Sequence, residues 1–96
     1  MTKEEEMNIL NDALNTYGIV KQQWMLVEEC GELLNAIAKS KRGRVENEYI
    51  ITELADVSIM IDQMAFFYGM DDFKDARKNK LLRLKGRLAK HKETEP

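Results

Sequence analysis

Ninety-six residues, 44% of them hydrophobic and 33% charged, set a single domain with a modest core, too apolar for a disordered chain and too interrupted by charge for a membrane protein. No apolar run approaches the roughly 20 residues of a bilayer span, and the polar, acidic start from Met1 to Leu10 is unlike a secretory leader, so a cytoplasmic protein is expected. A net charge of −2, from 15 basic and 17 acidic residues, argues against general nucleic-acid binding, while one cysteine and one histidine exclude an internal disulfide and most zinc sites.

The only proline is Pro96, and Gly18, Gly43 and Gly69 divide the chain into four stretches free of turn signals, at about 3–17, 19–41, 46–68 and 71–90. Each is rich in Leu, Ala, Met, Glu, Lys and Ile and lacks period-two alternation, so an all-α four-helix bundle with short connections is predicted. Thr2 with Glu5 reads as the cap of the first helix, and Asp71 or Asp72 as the cap of the fourth. Lys39, Lys41, Arg42 and Gly43 form a basic, glycine-terminated end to the second helix. The domain is placed at 1–91, with 92–96 a polar tail expected to fray from His91 onward.

At about 100° per residue, Leu26, Cys30, Leu33, Leu34 and Ile37 form the main apolar face of the second helix. Glu28, Glu29 and Glu32 share another arc, together with Met25 and Ala36. Three glutamates opposite a core face are ordinarily a solvated surface, but the third helix changes the argument. There Val57, Met60 and Met64 lie within about 40° of Glu53, so Glu53 and Asp56 sit inside an apolar stripe. Buried carboxylates are costly unless paired or bound to a metal. Two outcomes stay open: salt bridges to Lys or Arg of the fourth helix, or a shared cation. Residues three apart on a helix are about 5–6 Å apart at Cβ, and packed helices about 8–10 Å apart. Glu29 and Glu32 facing Glu53 and Asp56 could therefore surround one or two divalent ions. Carboxylates favour hard cations such as Mg²⁺, with Mn²⁺ as a substitute. A di-iron bundle would need Glu-x-x-His pairs, and no histidine precedes His91.

Glu28-Glu29-Cys30-Gly31-Glu32, then twenty residues, then Glu53-Leu54-Ala55-Asp56, resembles the E-E-x-x-E and E-x-x-D signature of the MazG-like all-α nucleoside triphosphate pyrophosphohydrolases. The likeness extends over roughly residues 17–90. It implies a MazG-like fold and hydrolysis of a (d)NTP between its α and β phosphates, giving (d)NMP and pyrophosphate. It implies that Glu29, Glu32, Glu53 and Asp56 ligate Mg²⁺, and that Glu28 binds metal or orients and deprotonates the attacking water. For phosphate contacts it points to the last helix, where Lys80, Arg83 and Arg87 supply charge; Leu84 stands where an asparagine is often found. The resemblance also implies a homodimer or homotetramer with sites near subunit boundaries.

Trp24, one turn before Glu28, is able to stack on a nucleobase or to fill a core or subunit interface. Tyr49 and Phe67 either wall the pocket or fill the core. Two other functions compete with the pyrophosphohydrolase: a non-catalytic helical interaction or regulatory module, and a metal-dependent hydrolase of a non-nucleotide phosphate. The second and third helices are expected to be the longest and to run antiparallel.

Overall fold

A computed structural model describes residues 1–94. Among them are four helices and no strand: α1 (Lys3–Tyr17), α2 (Ile19–Ser40), α3 (Asn47–Tyr68) and α4 (Met70–Thr94). The all-α expectation holds, and the boundary chemistry explains most of the ends. Thr2 caps α1 through its side-chain oxygen, which accepts from the Glu5 N–H at 3.1 Å, while the Glu5 carboxylate accepts the Thr2 N–H at 3.3 Å. Gly18 alone joins α1 to α2. Its φ of 85° and ψ of 153° form a combination open essentially to glycine, and its N–H donates to the Leu14 carbonyl at 2.9 Å. Gly69, at φ 132°, joins α3 to α4 in the same one-residue fashion. The longer connection, Lys41 to Glu46, follows the basic end of α2, where the N–H groups of Arg42 and Arg44 both donate to the Lys39 carbonyl.

α2 and α3 make the most extensive helix pair of the molecule, and they are antiparallel: Gln23 bonds to Tyr68, Glu29 meets Glu53, and Ala36 meets Tyr49. Residue numbers climb along one helix as they fall along the other. α1 closes over this pair with Leu10 buried. The buried apolar set is small: Leu10, Ala36, Val57, Met60, Met64 and Ala65.

Four expectations need correction. First, the longest helix is α4, with 25 residues against 22 each for α2 and α3. Second, α4 starts at Met70, so Asp71 and Asp72 lie in its first turn instead of capping it. Third, it runs through the stretch expected to fray, as far as Thr94, because nothing from Phe73 to Thr94 breaks a helix except the tolerated Gly86. The remainder of the expected tail, 95–96, lies outside the described residues. Fourth, the four helices do not close into one bundle within a single chain. α4 packs closely only on α3, its first turns sharing a recess with Met7 and Leu10 of α1, and every residue from Lys74 to Thr94 is exposed. The radius of gyration shows the same thing: 17.0 Å, against about 12.5 Å for a compact chain of this length. Three helices form the core, and the fourth projects from it.

The inward face of α2 also differs from the expected one. Gln22, Leu26, Glu29, Leu33 and Ala36, at alternating spacings of four and three, are buried or half-buried, whereas Leu34 is 69% exposed and Ile37 is also exposed. Ala36, the smallest side chain on the acid-bearing arc, lets α3 approach there, so the inward face takes Glu29 and Ala36 together with Leu26 and Leu33, while Leu34 and Ile37 lie exposed.

A carboxylate cluster between α2 and α3

Four acids meet where α2 and α3 face each other. One carboxylate oxygen from each of Glu29, Glu53 and Asp56 lies within 4.8 Å of the other two. Glu53 is 6% exposed, while Glu29 and Asp56 are half-buried. Spacing explains the convergence. Glu53 and Asp56 are three residues apart on α3 and so project to the same side, and Glu29 sits in the inward stripe of α2 opposite them. Glu32 lies on the rim, exposed, yet close enough to share a hydrogen bond with Glu53. Glu28 is exposed beside Glu29 and outside the close trio.

Electrostatically the cluster is uncompensated. Burial first, and then the charges of Glu32, Asp56, Glu53 and Glu28, raise the Glu29 carboxyl above its ordinary range. Glu53 is raised by burial first, then by Glu32 and Asp56, and only a hydrogen bond from Tyr49 opposes the shift. The charges that raise these two glutamates are negative. Salt bridges to α4, the structural alternative, are not what hold the acids: α4 does not touch α2, and among the described residues no Lys or Arg forms an ion pair with Glu29 or Glu53. Glu29 Oε2 and Glu53 Oε2 are both buried without a hydrogen-bond donor. An oxygen-only donor set with two orphaned oxygens fits a hard divalent cation.

The remaining candidates fall elsewhere. Lys80, Arg83 and Arg87 line a shallow recess along α4 with Arg77, Leu81 and Leu84, on the helix that projects from the core. Within one chain they are not assembled with the acids. Trp24, 65% exposed, belongs to an outer stripe of α2 with Val20, Val27 and Leu34. Tyr49, about half exposed, stands beside Glu53, whereas Phe67, also half exposed, lines a separate recess with Asn11, Leu14 and Ile19, away from the acids.

Sequence reasoning missed two features. Gln63, on α3 two turns beyond Asp56, is buried with its Oε1 unpartnered, and Gln22 is buried on α2. No spacing rule marks a glutamine as buried, because its polarity argues for the surface. The second is the Tyr49 hydroxyl beside Glu53, four residues earlier on the same helix; that i, i+4 spacing was a visible signal. No protein-family model, curated protein or solved structure matches this chain.

Proposed function

We propose that this protein is a metal-dependent nucleoside triphosphate pyrophosphohydrolase of MazG-like type, cleaving between the α and β phosphates. One observation carries the reading: Glu29 Oε2 and Glu53 Oε2 are buried without donors, in a cluster that Asp56 completes within 4.8 Å. A bound cation relieves such oxygens and offsets the charge repulsion around them at the same time. Glu29, Glu53 and Asp56, with Glu32 at the rim, would hold Mg²⁺ or Mn²⁺. Bound there, the ion supplies charge neutralisation for the phosphates and acidifies a water. Glu28, exposed next to Glu29, is the acid left to orient that water and accept its proton. The carboxylates by themselves repel a polyanionic substrate, which is why the acidic cluster needs both a cation and basic side chains nearby.

The projecting α4 supports assembly as part of the same reading. In a homodimer or homotetramer, one copy's Lys80, Arg83 and Arg87 could approach another copy's acids, and the outer stripe around Trp24 would be covered. The test is a panel of (d)NTPs with Mg²⁺, with products resolved. Release of pyrophosphate and monophosphate is expected; orthophosphate release, or no turnover with either metal, overturns the proposal.

The same exposed apolar stripe favours a second reading, a non-catalytic helical interaction or regulatory module. Under it the acids hold no ion, and Mn²⁺ leaves the melting temperature where it was. The hydrolase is stabilised by any ion that binds only its native state.

A further inference from the structure

The connection that closes the α2–α3 hairpin and the helix ends it joins form a recess of about 300 Å³, lined by Asn35, Ala36, Lys39, Arg44, Val45, Glu46 and Tyr49. Two features suit it to an anion, and a third ties it to the carboxylates. Lys39 and Arg44 both line it, against a single acid, Glu46, and neither cation has an ion-pair partner among the described residues. The α3 helix begins beside it with no side-chain cap, although the Tyr49 N–H already donates to the Glu46 carbonyl, so the positive end of a 22-residue helix adds to the field there. The recess also adjoins the carboxylates. Tyr49 lines it and hydrogen-bonds to Glu53, one helical turn, about 6 Å, farther along α3.

We propose that this recess seats the terminal phosphates of the substrate, with Lys39 and Arg44 as their cations and the positive end of α3 beside them. The assignment rests on the pyrophosphohydrolase reading for its substrate but not for its anion. It gives the site a direction: the bond to be cut lies over Glu29, Glu53 and Asp56, the leaving pyrophosphate points toward the hairpin turn, and the nucleoside points toward Gln22 and Gln63. A triphosphate is thereby held by cations of the same chain that supplies the acids. Glu46 works against the anion and limits how tightly the product pyrophosphate is retained.

The test uses inorganic tripolyphosphate with Mg²⁺, measured by calorimetry on the intact protein. Lys39→Gln and Arg44→Gln should each weaken binding about tenfold and the double variant about a hundredfold, as expected for loss of charge-assisted hydrogen bonds. Glu46→Gln should tighten it. Lys21→Gln, which removes the same charge at the far end of α2, should leave affinity unchanged, as should any of these variants for Mn²⁺ alone. Equal affinity in the double variant and the wild type, or no binding by the wild type, overturns the proposal. So does loss of binding in Arg87→Gln with the hairpin variants unaffected, which would move the anion to α4. Binding that depends on Lys39 and Arg44, without hydrolysis of any nucleotide, supports the recess and removes the pyrophosphohydrolase reading instead.

Discussion

Glu53 illustrates how much one side chain can carry. It is the most deeply buried acid of the cluster, it touches Tyr49 and Glu32, and one of its oxygens has no donor. Replacing it by Gln keeps the shape and removes one negative charge. Metal-dependent turnover should fall by more than about a hundredfold, because a ligand contributing several kcal/mol to charge stabilisation is lost, while the metal-free protein should melt higher as repulsion eases. Pyrophosphate release and thermal melts with a chelator check the two halves; unchanged turnover at saturating Mg²⁺ removes Glu53 from the site. The raised carboxyls of Glu29 and Glu53 also fix a pH trend. Their folded-state values lie above the unfolded ones, so the stability they contribute is complete below the ordinary glutamate range and is lost as pH rises through the raised values. Without metal, the melting temperature should therefore rise on acidification from neutral pH toward that range, and Mg²⁺ should flatten the trend. A melting temperature that falls over that interval contradicts the cluster as described. These acids were legible in the sequence because periodicity placed Glu53 among Val57, Met60 and Met64. Their neighbours Tyr49 and Gln63 were not, since a pattern of apolar spacing is silent about which polar groups go inside.

Helix by helix, composition and glycines were sufficient to place the elements. All four starts and three of the four ends lie within one residue of expectation, because Gly18 and Gly69 are conformational requirements and not merely weak helix formers. Gly18→Ala should cost about 1–3 kcal/mol, the scale for a side chain forced into a glycine-only region; open space around the position leaves backbone strain as the only cause. Chemical denaturation measures it, and a loss below about 0.5 kcal/mol would mean the α1–α2 joint relaxes freely. The inward face of α2 follows expectation at Leu26, Cys30 and Leu33, which are half-buried, and departs from it at Leu34 and Ile37, for a definable reason. Leucine and isoleucine outweigh alanine in any apolar pattern, yet closeness of approach between helices depends on small residues. Ala36, only 1% exposed, decided the orientation.

For the molecule as a whole, burial is incomplete in a single copy. Trp24, Val27 and Leu34 on α2 and Leu81, Leu84 and Leu88 on α4 are all more than 40% exposed, a larger apolar surface than a small monomer ordinarily leaves in water. Light scattering should give a multiple of 11.2 kDa at micromolar concentration; the single-chain mass with full activity would show that the acids and the hairpin recess suffice. The sequence contained the apolar residues but not the fact that α4 leaves the core, because helical periodicity fixes a face and says nothing of which neighbour covers it. The consequence of that departure is dynamic. Beyond Arg77, α4 has no tertiary support as far as Thr94, and a helix in water owes most of its stability to packing against neighbours. Its backbone amides are thus a built-in gauge of self-association: from Lys80 to Lys90 they should exchange with deuterium within the labelling dead time in dilute protein, and slow as the concentration rises. The amides of Val57 to Met64 should keep their protection throughout.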